Sequence, residues 1–393
     1  MPPTSPLKRL YVIETLGPAG AEYLLLYLLL AMVERGHHCE VAVLHAPYDL
    51  APRFEAAGIR VHRLDIKHRF DAATAVLKLG RLLRRGRFDL ACSDMYFASM
   101  YLAMSRAIAP APRRIATFHH VDYDIYPADR VTRRIQKATY GWLMRNAIDA
   151  HVGVSRAVAE HYRRHLRLPR IQVIPNGFPI PAATFDAAAV RATRARFGAS
   201  CTDFLLVCPA RFALEKGHRY LVEAMALLRD EGVPVRCLLF GAGPLENDVR
   251  AQVSRLGLEG VVTLHTPVPQ QTLLDVMKAS DALILPSPRG EGFGRVLAEA
   301  MALERAVITP AVGGALDFID DDRTGLLVEP ESAVALAAAV RRLVVDPGLR
   351  LRIGAAARHV IVNRFEIHIV AAHWEDFYGK IPAGSSGRGH MQR

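Results

Sequence analysis

No apolar run in this 393-residue sequence approaches the roughly 18–20 residues that a membrane-spanning helix needs. The longest, Leu24 to Val33, is closed by Glu34 and Arg35 and reads as a buried helix. Cysteine is sparse: Cys39, Cys92, Cys201, Cys208 and Cys237 are scattered, with no CxxC pair. That excludes a disulfide scaffold, argues against a zinc site and fits reduced thiols. The opening Met-Pro-Pro-Thr-Ser-Pro lacks the charged-then-apolar pattern of a secretory leader. A cytoplasmic protein is therefore the expectation. Also missing is a GxGxxG turn with an acidic residue about 20 positions later, which argues against a nicotinamide enzyme. With 51% apolar and 23% charged residues, the chain is neither disordered nor collagen-like. Its length predicts two or three domains.

The charge is uneven. Residues 1–180 hold 26 Lys and Arg against 15 Asp and Glu, so the whole net charge of +11 sits in that half. A one-sided field suits an anionic partner, although ordinary solubilising charge explains it equally well. Helix 72–85 sets Lys78, Arg81, Arg84 and Arg85 beside Val76, Leu79, Leu82 and Leu83, which is either a solvated face or a contact with anionic inner-membrane headgroups. Further basic runs lie at Arg113-Arg114, Arg130–Lys137 and Arg163–Arg167. No aromatic-interleaved basic motif points to nucleic acid.

Apolar, Val- and Ile-rich runs alternate with helical patterns along the chain. Strands are expected at Arg9–Glu14, Cys39–His45, Arg60–Leu64, Phe88–Ser93, Arg114–Phe118, Ala150–Val154 and Ile171–Ile174. After Pro179, Pro181 and an Ala-rich linker at 179–190, the alternation restarts with strands from Phe204–Pro209 to Gly325–Val328. This is an α/β chain of two doubly wound Rossmann-like domains, with ligands expected beyond the carboxyl ends of the strands, in a cleft between the halves. The expected boundaries are 1–182 and 183–365, with a helix at 366–382 returning to the first domain and a disordered Gly/Ser-rich tail from 383.

The sharpest motif follows the strand ending at Leu285-Pro286: Glu291-Gly-Phe-Gly-Arg295-Val-Leu-Ala-Glu299. A Gly-rich turn opening a helix aims free amides and the positive dipole end at a ligand, which suits a phosphate, with carboxylates at either end for sugar hydroxyls. Alone, such a turn is common, and the glutamates could be a solvated helix face. Further along are Arg211-Phe-Ala-Leu-Glu-Lys216-Gly217, Val173-Ile-Pro-Asn-Gly177, Phe240-Gly-Ala-Gly243-Pro244, Val312-Gly-Gly314 and Thr324-Gly-Leu-Leu-Val328.

In this order and spacing the set resembles glycosyltransferase family 4, retaining enzymes of the GT-B fold, from about Tyr11 to about Tyr378. The resemblance implies that Arg211 and Lys216 hold the diphosphate of a nucleotide sugar, and that Glu299 takes the ribose hydroxyls and Glu291 those of the donor sugar. Gly292, Phe293, Gly294, Arg295 and Val296 then offer amides to the sugar and distal phosphate, Gly20 and Gly243 flank the donor, and Pro267 and Val268 lie near the base. It further implies His119 in Thr117-Phe118-His119-His120 as the active-site histidine, with His120 as the fallback; His120, Gly17 and Asp122 fall on the acceptor side. A strand-end histidine is more often structural, and the Thr-x-His setting reverses that here. Ser155 is expected to cap the helix after it.

Some residues depart from the family pattern. Ala19 stands for a glycine in the Gly17–Glu22 loop and predicts a differently shaped turn. Thr266 and Glu304 also replace frequent glycines, and Asp317 replaces a glutamate. The pattern calls for no metal and for no cofactor beyond the nucleotide sugar. The implied reaction is hexosyl transfer to a glycan, glycolipid or lipid-linked hydroxyl. Its rivals are a non-catalytic nucleotide-sugar-binding or membrane scaffold and a GT-B epimerase, the latter lacking a visible acid/base pair. A domain closure bringing His119 towards the donor is a further expectation.

Overall fold

Strands buried on both faces need continuous apolar runs, and helices between them must bury one stripe each. Both conditions are met twice in the computed structural model, which describes residues 7–381 apart from 69, 122, 124–130, 185, 201 and 290. Asp122, Cys201 and the tail from 383 therefore lie outside the described residues. The chain divides into two compact units, residues 1–119, 128–178 and 367–393 in the first and residues 120–127 and 179–366 in the second.

In the first unit β1 (Lys8–Ile13), β2 (His38–Val43), β3 (Arg60–Arg63), β4 (Leu90–Asp94), β5 (Arg113–Phe118), β6 (Ala150–Gly153) and β7 (Gln172–Val173) form one parallel sheet in the order β3-β2-β1-β4-β5-β6-β7. The intervening helices are α1 (Gly20–Glu34), α2 (Ala51–Ala56), α3 (Ala72–Gly86), α4 (Tyr96–Met104), α5 (Val131–Ala147) and α6 (Arg156–Leu166). The Leu-rich run lies in α1, whose Leu24, Leu25, Leu26, Leu29 and Met32 are buried in the core. Helix α3 turns Leu79, Gly80 and Leu83 inward, and Lys78 donates to the Leu64 carbonyl oxygen at 2.7 Å. Leu79 and Leu83 are thus core, Val76 and Leu82 are half-buried, and outward the helix presents mainly charge together with Leu77. The Ser155 hydroxyl caps α6, accepting from the Val158 amide at 3.1 Å.

The second unit contains β8 (Phe204–Pro209), β9 (Val235–Phe240), β10 (Val262–His265), β11 (Ala282–Ile284), β12 (Ala306–Pro310) and β13 (Leu326–Val328), all parallel, in the order β10-β9-β8-β11-β12-β13. Its helices are α7 (Ala187–Arg196), α8 (His218–Asp230), α9 (Glu246–Arg255), α10 (Gln270–Ala279), α11 (Arg295–Ala302), α12 (Ala333–Val345) and α13 (Pro347–Phe365). The Ala-rich end of the expected linker is helical instead: the Asp186 carboxylate caps α7 at the Ala188 amide, 2.9 Å away, and alanine is the best helix former. The unit boundary falls between Phe178 and Pro179.

The last helix, α14 (Ile367–Lys380), belongs to the first unit. There Val370, Trp374 and Tyr378 join the core of α1 and β1, and the Tyr378 and Tyr11 hydroxyls lie 2.9 Å apart. Arg9 is fully buried beneath it, its guanidinium 4.5 Å from the Tyr378 ring centroid.

Each sheet has one place where strand order reverses, β1/β4 in the first unit and β8/β11 in the second. Loops leaving the carboxyl ends of those neighbouring strands diverge to opposite faces and leave a crevice, the usual ligand site of open α/β sheets. This topology gathers the chemistry-bearing residues of each unit.

Candidate active site

In the second unit the reversal sets the loop after β8, residues 210–217, beside the turn after β11, residues 285–294. Residues 75 positions apart in sequence consequently meet: the Lys216 ammonium donates to Glu291 Oε2 at 2.8 Å, and the Ser287 hydroxyl donates to the same oxygen at 3.1 Å. Gly217 lets this happen. It holds φ at +68°, and a Cβ there would fall 2.2 Å from the Pro286 carbonyl oxygen. Behind the turn, the Gly314 amide donates to the Glu291 carbonyl oxygen at 3.0 Å, and a Cβ on Gly314 would lie 2.0 Å from that of Gly292. The Val312-Gly-Gly314 motif thus clamps the backbone of the Glu-bearing turn.

Gly294 is the N-cap of α11, and Arg295 its first residue, so the helix start faces the turn. Phe293 is buried against Phe318 and Phe365 and anchors the turn from below. Glu299 is 3% exposed. Its Oε1 accepts from Gln270 Nε2 at 2.8 Å and lies 3.5 Å from Arg295 Nε, whereas its Oε2 is buried without a partner. The Gln270 amide oxygen accepts from Arg295 at 2.9 Å, so one amide holds both charged side chains. Gln270 opens α10 after the N-cap Pro269, which follows the exposed Pro267 and half-buried Val268, placing that loop next to Glu299.

The two carboxylates sit in opposite electrostatic settings. Burial pushes the Glu291 carboxyl up, but the Lys216 ammonium, the Ser287 hydroxyl and the charge of His120 outweigh it, and the net shift is below the ordinary carboxylate value. For Glu299 burial dominates over Arg295 and Gln270, and its pKa is raised. Arg211 is 60% exposed at its side chain, where it pairs with Glu215. It lines a pocket of about 470 Å³ with Leu214, Arg219, Tyr220, Pro288, Arg289 and Glu331. None of the other sequence-predicted donor residues lines that pocket. Gly243 lies close to the same loop: a Cβ there would come within 2.4 Å of the Phe212 carbonyl oxygen.

In the first unit the reversal sets the end of β4 beside the ends of β1 and β5. His119 Nε2 and Asp94 Oδ1 lie 2.8 Å apart, and with Thr117 and Asn176 they line a small cavity of about 30 Å³. Glu14 Oε1 accepts from the Phe97 amide at 2.9 Å, and Glu22 Oε1 from the Thr15 hydroxyl at 2.8 Å. Met95, between Asp94 and α4, holds φ at +77°. Such a conformation in a non-glycine residue costs on the order of 1–3 kcal/mol and concentrates at functional crevices. Gly17 packs against Pro47, and Gly20 is the first residue of α1. Ala19 adopts φ −111° and ψ 179°, an extended geometry open to any residue, so its replacement of glycine leaves no strain. His120 is exposed and groups with the second unit.

Gln270, Ser287, Asp94 and Met95 escaped the sequence reading. Gln270 and Asp94 are brought in by strand neighbours distant in sequence, Ser287 lies four residues before Glu291 in the same turn, and Met95 is visible only as a backbone angle.

Both halves match known families. Residues 18–180 match Glycosyltransferase Family 4, and residues 190–360 match Glycosyl transferases group 1. The chain belongs to the family 4 glycosyltransferases. Over 244 residues, 60% of this chain and 57% of the relative, it is 33% identical to a D-inositol 3-phosphate glycosyltransferase of Xylanimonas cellulosilytica. A 2-deoxystreptamine glucosyltransferase of Streptomyces kanamyceticus is 30% identical over 64% of this chain and 66% of its own length. The chain spans about half the length of the curated relatives it first matches. Anabaena HepE, solved with UDP-glucose, superposes with a TM-score of 0.83 at 21% identity, covering 95% of this chain and 99% of that one. The fold is therefore that of the GT-B glycosyltransferases.

Proposed function

We propose that the chain transfers a hexosyl group with retention from a nucleotide diphosphate sugar, a UDP-sugar ahead of a GDP-sugar, to a hydroxyl of a glycan, glycolipid or lipid-linked acceptor in cell-surface polysaccharide or lipopolysaccharide synthesis. One observation carries the reading. The two glutamates of the turn and α11 differ in state: Glu291 is held by Lys216, and Glu299 keeps a buried, unpartnered oxygen. An arriving diphosphate competes for Lys216 and Arg211. A ribose fills the empty acceptor position of Glu299, and the base rests by Pro267 and Val268. HepE, whose structures carry UDP, UDP with glucose and UDP-glucose, supports a uridine donor.

The bond from the anomeric carbon to the diphosphate oxygen breaks, and the acceptor oxygen bonds to that carbon on the same face. The acceptor proton passes to the leaving phosphate oxygen. Charge grows on the diphosphate, and fixed cations with the amides of Gly292–Arg295 stabilise it as it forms. Glu291 takes donor-sugar hydroxyls rather than attacking carbon, and a Glu291 truncation that keeps substantial turnover fits this mechanism over a double displacement. Held by Asp94, His119 presents a fixed tautomer to a sugar hydroxyl or to the acceptor. For the acceptor a second reading rests on the relatives named for D-inositol 3-phosphate and 2-deoxystreptamine, both small hydroxylated rings.

A thermal-shift screen of UDP, GDP, ADP and their sugar conjugates tests the donor half. Saturation at 100 times the dissociation constant adds about 2.7 kcal/mol, a clear rise in melting temperature. The expected result is a shift with one base only, lost in Arg211→Ala and in Glu299→Ala. No shift with any nucleotide contradicts the reading.

A further inference from the structure

A carboxylate that is to meet a ribose must stay in place and keep an oxygen to offer. Glu is a flexible side chain, so what fixes it matters as much as the carboxylate itself. Among the described residues Glu299 receives a single hydrogen bond, from Gln270 Nε2 to its Oε1 at 2.8 Å. The Arg295 guanidinium approaches the same oxygen to 3.5 Å, an ion pair without hydrogen-bond geometry. Both contacts hold Oε1, and Oε2 is left over.

Gln270 is itself oriented from the other side. Its amide oxygen accepts from the Arg295 guanidinium at 2.9 Å, so its NH2 group has to face the carboxylate. A flipped amide would set NH2 against a guanidinium and an oxygen against a carboxylate. A neutral amide can bridge a cation and an anion in this way. A glutamate here would satisfy Arg295 and repel Glu299, and an apolar side chain would satisfy neither.

The place of Gln270 in the chain adds a second consequence. It is the first residue of α10, after Pro267, Val268 and the N-cap Pro269. Arg295 and Glu299 stand four residues apart on α11, on one face of the helix that follows the Gly292–Gly294 turn. One side chain therefore ties the loop beside the base to the helix bearing the ribose carboxylate. Its neighbour Gln271 has the same chemistry and none of this: it is exposed and donates to Asp275 of its own helix at 3.1 Å.

We propose that Gln270 is the positioning residue of the nucleotide site: by holding Oε1 of Glu299 it leaves Oε2 set for the ribose hydroxyls, and so makes the site select a ribonucleotide over its deoxy counterpart. The assignment rests on the reading of Glu299 as the ribose acceptor. The charge state agrees with it. Burial raises the pKa of Glu299, and Arg295 and Gln270 oppose the rise. Without the amide, Glu299 keeps its proton to higher pH, and the protonated form accepts hydroxyl donors less well.

Calorimetric titration of UDP and 2′,3′-dideoxy-UDP, or of the guanosine pair where UDP does not bind, tests the proposal on wild type, Gln270→Met, Gln270→Glu and the control Gln271→Met. The expected result is a loss of about 5- to 20-fold for the ribonucleotide in both Gln270 variants, with the dideoxy nucleotide changed less than about twofold and Gln271→Met like wild type. In Gln270→Met the rise of ribonucleotide affinity with pH moves to higher pH. Equal losses for both nucleotides would reduce Gln270 to a packing contact between α10 and α11, and no loss for either would overturn the assignment outright. Both outcomes leave Glu299 standing as the ribose acceptor if wild type prefers the ribonucleotide. A wild type that binds the two equally, or binds neither base, removes the ribose reading and the role of Gln270 with it.

Discussion

Glu291 and Glu299 are the same side chain at the two ends of one short segment, the first half-buried and the second buried, and the protein treats them in opposite ways. Glu291 is matched with an ammonium and a hydroxyl and held ionised; Glu299 has an amide, a distant guanidinium and one oxygen facing nothing, and burial raises its pKa. On the proposed reading the cation end of the site is assembled before any ligand arrives, its positive charge stored against a carboxylate that a diphosphate can displace. The hydroxyl end is left incomplete, and an unfilled buried acceptor costs stability of about 1–3 kcal/mol that a ligand's hydroxyl donors recover. The proposed reading thus gives the two carboxylates two functions, set by which strand's loop lies next to each.

The comparison breaks most visibly at Lys216. Lys216→Met leaves the half-buried Glu291 without its ammonium partner, and about 2 kcal/mol of stability is lost, discounted for the partial exposure of the pair, with kcat/KM down on the order of 10³-fold. Lys216→Met/Glu291→Gln regains most of the stability in denaturant melts but none of the activity. A double variant as unstable as the single one contradicts the pairing.

Glu299→Gln has a smaller effect of opposite sign. Glu299 titrates in the folded state above its unfolded value, so its contribution to stability is present at low pH and declines as pH rises through the raised folded pKa. Replacing it removes that decline, and the unliganded variant is more stable near neutral pH by about 1 kcal/mol, with a flatter pH profile across that titration, between the ordinary carboxylate value and the raised folded one. Glu291 has the reverse linkage: its lowered pKa stabilises the fold above the ordinary carboxylate range and is lost as pH falls. Melting temperatures of wild type and variant across pH 4–8 read the difference, and a variant less stable than wild type at pH 7 contradicts the account.

The strands were legible because a parallel sheet demands apolar Val- and Ile-rich runs, and their observed bounds differ by a residue or two from those read in the sequence. Arg211, Lys216, Glu291 and Glu299 were legible through motif order. Their partners were not: Gln270 opens the helix that follows β10, three places away from β11 in the sheet, and Asp94 reaches His119 only because β4 and β5 are neighbours. Pairing between strands distant in sequence leaves no local trace. Two local rules also yielded to context. The Ala-rich stretch after Pro181 reads as linker beside its prolines, although its alanines favour the helix that Asp186 caps. Glu304, where the family often has glycine, takes φ +58° despite its side chain, a backbone that glycine would hold without strain.

Calorimetric titration of UDP and its 2′,3′-dideoxy analogue into wild type and Glu299→Gln tests the central claim most directly, because it asks whether the empty oxygen of Glu299 is where the ribose hydroxyls go. The account predicts that deleting the hydroxyls or the carboxylate each weakens binding about 10- to 50-fold, and that doing both costs little more than either alone. Losses that simply multiply would mean that Glu299 and the ribose do not meet, and the donor site would have to be sought elsewhere in the second unit.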